Sequence, residues 1–415
     1  MKGKQLLILA VAAVVLIIAA MKSGQRELDT SLDWVGKRVL AEMDMNAVDT
    51  ITITGGATSA SVTRTETGWV VNEKFGYAAD FDKIRDTVID LVEVKVTDLI
   101  DLEPAEHSRL GIGAPSPALN AKRVTLAQGE KSLASLILGN DHMQTSPNGP
   151  APGGAYPDGR YVSVEGSDRV FLVSETFSSV SENAIDWVDT ELCNVTASDI
   201  TEISISGVDR VPVKLTQDGT DLKLADLANS EELDDSKLSS LRNALSYLNL
   251  SDIADPALSD EATGFDKPTT FSAITKNGTT YTLNIGGTDA SANRYMRVEV
   301  GYTEPSVEAN VEETDEAKAK SEARQAEIAN NKAAATELNA KLSPWTYLIA
   351  SYKGDIMLTT RNNLVTEKAK EEPAGTAAAV ETATPVVTPI TPAVEPIITP
   401  NQTETNEAAA KSTSE

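Results

Sequence analysis

Apolar and polar positions alternate along Val48-Asp49-Thr50-Ile51-Thr52-Ile53-Thr54, which predicts a strand with one buried face. Ser61 to Thr65 predicts a second strand, running on to Gly68-Trp69-Val70-Val71. The period then changes. From Asp80 to Val94, Phe81, Ile84, Val88, Leu91 and Val92 fall on one face of a helix. LGIGAP follows, then VTL and SLASLILG around Gly129, then a Pro/Gly loop that leads to a hairpin of RYVSVEG and RVFLVSE.

The same series then returns. Ile200 to Ser206 alternates again, and VPVKLTQDGTDLKLAD predicts a hairpin around Asp218-Gly219. Asp234 to Leu250 has the spacing of an amphipathic helix, and TGFDKP follows it. Asn277-Gly278 marks a further hairpin. RYMRVEVG then answers RYVSVEG, and WTYLIA answers RVFLVS. The shared order of elements makes Ile51 and Ile203, Tyr161 and Tyr295, and Phe171 and Tyr347 counterparts. The expected fold class is α+β, a tandem duplication of a strand-hairpin, helix and antiparallel-hairpin module.

Gly111 with Pro115, and Gly264 with Pro268, repeat one piece of punctuation, Gly-x-x-x-Pro. Each glycine is expected to end a helix, where a left-handed residue suits glycine. Each proline is expected to start the next strand, where no donor is needed. The motif lacks the Lys and Ser/Thr of a phosphate loop.

Residues 304–342 have no counterpart in the first copy. They are rich in Ala, Glu and Lys, good helix formers with few large apolar side chains. This reads as a solvated helix or helical hairpin projecting from a loop, with a coiled-coil-like partner contact as the sharper alternative. From residue 365 the chain is rich in Pro, Thr, Ala and Glu, a composition expected to remain disordered.

Lys2 and Lys4 precede an unbroken apolar run from Leu6 to Met21. The run is slightly short for a membrane span of ~20 residues and slightly long for a secretory core. It reads as an uncleaved signal anchor, with a cleaved signal peptide as the alternative. The basic residues before it favour a cytoplasmic N-terminus, with the bulk of the chain outside the cytoplasm. The expected layout is an anchor at 1–22, a linker at 23–47, one repeat at 48–190, a second at 191–364, and a tail at 365–415.

The formal net charge of −26 over 415 residues repels phosphates, so nucleic acid is not an expected partner. A single cysteine, Cys193, forbids an intrachain disulfide, and two histidines, His107 and His142, exclude a histidine-rich metal site.

The anchor, VDTITI, GWVV, the amphipathic helix, LGIGAPSP, SLILG and the RYVSVEG/RVFLV hairpin, repeated in order, resemble the bacterial domain-of-unknown-function family 4340. The likeness covers most of residues 1–364. It implies a membrane-anchored envelope protein encoded beside ABC-type transporters of the gliding-motility kind, with permease and ATPase subunits as partners. The family has no defined catalytic residues to carry over.

The sequence holds no G-x-S-x-G, no H-E-x-x-H and no cysteine cluster. Asp141-His142 is the nearest approach to an acid–base pair, but it opens a Pro/Gly loop. No catalytic residue, metal ligand or cofactor is expected. The expected function is an accessory or scaffold component of a transport system in the cytoplasmic membrane. The alternatives are an independent envelope protein that binds glycan or peptidoglycan, and a hydrolase with a site assembled from distant residues.

Overall fold

Ile51 and Ile53 are fully buried in β1 (Thr50–Thr54), while Thr50, Thr52 and Thr54 stay half-exposed. The alternation read in the sequence is thus a strand with one face on the core. The computed structural model describes residues 33–40, 43–144, 155–305 and 315–368. After β1 come β2 (Ser59–Thr65), β3 (Gly68–Val71), β4 (Tyr77–Ala78), α1 (Phe81–Glu93), β5 (Val96–Ile100), β6 (Lys122–Gln128), β7 (Lys131–Gln144), β8 (Tyr156–Val164) and β9 (Val170–Val173). They form one nine-stranded sheet in the order β4-β3-β2-β1-β6-β7-β8-β9-β5.

The second half continues with β10 (Glu191–Cys193), β11 (Ile200–Gly207), β12 (Val213–Asp218), β13 (Asp221–Leu224), β14 (Glu231–Leu233), α2 (Asp235–Arg242), β15 (Leu248–Ile253) and α3 (Asp260–Thr263). It ends with β16 (Thr269–Thr275), β17 (Thr279–Thr288), β18 (Arg294–Tyr302), α4 (Asp315–Leu342), β19 (Tyr347–Ile349), α5 (Ser351–Met357), α6 (Arg361–Leu364) and β20 (Val365–Glu367). Its nine-stranded sheet runs β10-β15-β19-β18-β17-β16-β11-β12-β13, and β14 pairs separately with β20. The fold is therefore α+β, built on mostly antiparallel sheets.

The order β3-β2-β1-β6-β7-β8-β9-β5 in the first sheet matches β13-β12-β11-β16-β17-β18-β19-β15 in the second. The registers match as well. Ile51 faces Leu126 and Ile203 faces Ala273; Arg160 faces Val173 and Arg294 faces Ile349. One register shift falls between Val96 and Asp98, and another at the counterpart place between Leu250 and Asp252.

Several expectations need correction. In α1, Ile84, Val88, Leu91 and Val92 are buried, but Phe81 at the first position is 58% exposed. The helix expected over 234–250 stops at Arg242. The chain leaves helical geometry at Asn243, passes Tyr247 at φ 48°, and enters β15 at Leu248. Alternation of Leu248, Asn249 and Leu250 wins there over helical spacing. The Asp218-Gly219 turn sits one residue later: Asp218 pairs with Asp221, and Gly219 and Thr220 make the loop.

The acidic insert does not project. Beyond its first turn α4 lies along β17 and β18, with Ala335 and Leu342 buried. Asn339 Oδ1 accepts the amide of Val300 (2.8 Å), satisfying part of β18 that the short β19 leaves uncovered. Leu364 is buried and β20 pairs with β14, so ordered chain extends to Lys368, past the expected start of the tail. In the expected linker, Val39 and Leu40 are buried, and Lys37 and Val39 share backbone hydrogen bonds with Val96 and Val94. The expected anchor at Leu6 to Met21 and the tail beyond 368 lie outside the described residues. Among the described residues no helix is long and apolar enough to cross a membrane.

Candidate functional site

The repeated Gly-x-x-x-Pro sets a close contact between a helix end and a strand. Gly111 closes the 3-10 helix Pro104–Leu110 at φ 72°, and Gly264 closes α3 at φ 78°. A Cβ on Gly111 would stand 2.6 Å from Asn140 Oδ1 of β7. A Cβ on Gly264 would strike the amide of Gly287 in β17. The partner strands are glycine there for the same reason: Gly139 lies against the carbonyl of Leu110, and Gly286 against that of Thr263. Pro268 stands directly before β16, but Pro115 does not open a strand, since β6 starts only at Lys122. Gly278, at φ 87°, ends a three-residue turn in which Asn277 Oδ1 accepts from the Thr279 amide (3.1 Å). An open polar cleft of about 360 Å³ beside that turn is lined by Thr196, Thr275, Lys276, Thr279 and Tyr281.

Asp141 and His142 point to opposite faces of β7, as neighbours in a strand must. Asp141 faces the buried Arg160 (3.6 Å), while His142 Nδ1 meets Asp158 Oδ1 at 2.6 Å on the exposed side. Arg160 donates to the carbonyls of Gly139 (2.8 Å) and Thr176 (2.9 Å), so its charge fastens β8 to its neighbours. Its counterpart Arg294 pairs with Asp355 (2.6 Å). Cys193 is buried in the core, and burial pushes its thiol up to about 12. Among the described residues no group of three or more His, Cys, Asp and Glu is placed to hold a metal ion.

The densest cluster of unusual side chains is the junction between the halves. Tyr77 of β4 is buried between Trp345 (5.1 Å between ring centroids) and Tyr347 (6.1 Å), both edge-on to it. Tyr347 donates its hydroxyl to the Leu342 carbonyl (2.8 Å), whereas the Tyr77 hydroxyl makes no well-formed hydrogen bond, its polar neighbour being the Tyr347 hydroxyl, and burial pushes its pKa up to about 12. Lys74 reaches Asp252 at the β15 register shift (2.6 Å), and Lys341, in the last turn of α4, reaches Asp189 (2.9 Å). Trp187 is fully buried; its carbonyl accepts the amide of Asp80 (2.9 Å), and Val188 bridges to Ala79. The chain thus completes the edge of the first sheet before entering the second.

Trp34 lies in a turn and Trp187 ends a short 3-10 helix. They hold equivalent positions along the chain, though not the same ring contacts, since Asp33-Trp34-Val35 and Asp186-Trp187-Val188 lead into counterpart segments beside β5 and β15. The repeated Asp-Trp-Val was the signal available. Trp34 lies 5.3 Å from Phe171, with Arg169 stacked over it at 5.0 Å. Phe171 and Arg169 correspond to Tyr347 and Trp345, so Trp34 fills in the first half the place that Tyr77 fills in the second.

No curated protein and no solved structure matches the chain significantly. Residues 69–268 match the family model described as Domain of unknown function (DUF4340). The match starts in β3, crosses the junction through Tyr77, Trp187 and Asp252, and stops at the proline before β16. Over that segment the likeness read from the motifs is matched by the family model: residues 69–268 belong to the DUF4340 family.

Proposed function

We propose that this chain is a non-catalytic, membrane-anchored envelope protein that serves as a scaffold or accessory subunit of an ABC-type transport system. We propose also that its halves arose by tandem duplication, which the shared strand order and registers support. The observation that carries the scaffold reading is the use made of the buried polar and aromatic groups. Arg160, Tyr77, Trp187 and Tyr347 tie strands and halves together instead of converging on a cleft. A rigid body of joined sheets, with strand edges and hairpin loops at its surface, suits recognition of other polypeptides. The basic-flanked apolar run from Leu6 to Met21 supports attachment to the membrane. ATP hydrolysis is assigned to a separate subunit.

Alkaline extraction of membranes tests the anchor. Full-length protein is expected in the pellet, and a variant lacking residues 1–22 in the supernatant. Full-length protein released by the extraction would remove the anchored reading.

A further inference from the structure

The cleft beside the Asn277-Gly278 turn has Tyr281 in its floor, 9% exposed, with its ring in the core. The Tyr281 hydroxyl has no hydrogen-bond partner among the described residues, yet protein does not seal it in, so it opens on the cleft. Burial pushes its pKa up to about 12, which keeps it a neutral donor and acceptor. Buried Thr279, two residues away on the same face of β17, brings a second hydroxyl. Ala134 holds the counterpart place in the first sheet, facing Leu126 as Tyr281 faces Ala273. The repeated fold therefore does not call for a hydroxyl there.

The walls are polar and carry no excess charge. Asn194 and Thr196 lie on one side, and Lys276 stands 3.8 Å from Asp199, so cation and carboxylate offset each other. The net charge of −26 further repels an anionic ligand. Asn194 also fixes the rim, since its Oδ1 accepts the Tyr247 amide (3.1 Å). Ser246 Oγ donates to the Val195 carbonyl (2.7 Å), and Lys353 Nζ to the Ser246 carbonyl (2.7 Å). Tyr247 is 72% exposed, and Tyr352, next to Lys353, is 65% exposed. Tyr247 holds φ 48°, a conformation that strains a bulky residue and suits glycine. A ring so exposed adds little to the core, so stability does not account for a tyrosine at this place.

We propose that this cleft binds a neutral oligosaccharide, whose hydroxyls pair with Tyr281, Thr279 and Asn194 while Tyr247 and Tyr352 offer ring faces at the rim. The inference is independent of the scaffold reading. Hydroxyl and amide side chains both donate and accept, as each sugar hydroxyl does. A tyrosine joins an apolar face to a wet end, which suits the C–H face of a sugar ring. A polypeptide would need an open strand edge or an apolar pocket, and β16 and β17 are paired on both sides. The volume of about 360 Å³ falls within the range of small-molecule sites, about 300–1,000 Å³.

The test is saturation-transfer NMR on full-length protein in deuterated detergent, with cellotriose, maltotriose and tri-N-acetylchitotriose as probes. Transfer to at least one of them is expected. Tyr281→Phe removes the hydroxyl but leaves the ring, and is expected to weaken binding roughly tenfold at an unchanged melting temperature. Tyr247→Gly relieves the backbone, and is expected to weaken binding with the melting temperature kept or raised. Co-sedimentation with purified sacculi would assign the ligand to the cell wall, and binding of soluble oligosaccharide alone would assign it to a free sugar; both keep the site. No transfer to any probe, or binding that both substitutions leave unchanged, would overturn it. Co-purification of transporter subunits should be the same in both variants, so loss of the site leaves the scaffold reading standing.

Discussion

Tyr77 stands edge-on to Tyr347, their rings 6.1 Å apart at 87°, although one belongs to the first sheet and the other to the second. The contact buries an aromatic ring from each half in one core, which makes the halves mutually dependent. The Tyr77 hydroxyl adds little to this, since it is buried beside the Tyr347 hydroxyl without a well-formed hydrogen bond. Tyr77→Phe is therefore expected to leave stability unchanged or raise it by up to ~1 kcal/mol, because an unsatisfied polar group is removed. Tyr77→Ala is expected to cost about 3–5 kcal/mol through the cavity left. Chemical denaturation of the three proteins decides this. A Tyr77→Phe variant weakened as much as Tyr77→Ala would show that the hydroxyl has a partner.

Gly139 and Gly286 each carry a backbone carbonyl of a helix end where a Cβ would lie. Alanine at either position is expected to destabilise by about 1–3 kcal/mol, the range for overpacking a rigid site. Gly166→Ala serves as a reference, since its added Cβ meets nothing within 4 Å, although its φ of 82° still disfavours a side chain. Losses at Gly139 and Gly286 no larger than that at Gly166, read by thermal melts, would show that the helix–strand contact is not tight.

Lys74 and Asp252 are part-buried, with side chains 18% and 36% exposed. A double-mutant cycle is expected to give a coupling of only ~0.2–1 kcal/mol after solvent screening, diminishing in high salt. A larger coupling that salt does not change would mean that the pair, rather than the aromatic rings, holds the junction.

Glu231 binds Arg361 (2.6 Å), and that hydrogen bond holds its carboxyl down at about 2, below its ordinary value of 4.5. A carboxyl depressed in the folded state adds stability above its unfolded pKa and loses it as pH falls through the folded one. The hold on β14, and with it the pairing to β20, is expected to weaken only between about pH 4.5 and 2. Amide exchange at Leu233 and Val365 followed across that range checks this, and exchange that rises already between pH 7 and 5 would contradict it.

The sequence made the long alternating strands and the helix face legible, because a single period of two or near 3.6 runs unbroken through them. It also exposed the Gly111 and Gly264 helix ends, whose positive φ leaves glycine as the ready choice. Short elements were hidden. β5 and β15 each contain a register shift that breaks alternation within a few residues, so β15 merged into the predicted helix over 234–250. The Asp-Trp-Val segments lie in turns and a short 3-10 helix, which carry no period, and only comparison of the two halves brings them out. The course of α4 was concealed by its composition. The residues that face the sheet, among them Arg324, Ile328, Asn331, Ala335 and Leu342, include too few large apolar side chains to read as a buried stripe. The junction itself joins Tyr77 to Tyr347 across most of the chain, a pairing that no local pattern encodes.

What accompanies the protein in the membrane bears most directly on the scaffold role. Full-length protein, crosslinked in cells, solubilised gently and purified by affinity, is predicted to bring ABC permease and ATPase subunits identifiable by mass spectrometry. They should be lost when residues 1–22 are removed and kept in the Tyr77→Phe variant. A clean preparation without transporter subunits, despite crosslinking, would contradict the scaffold reading and leave an independent envelope-binding protein in its place.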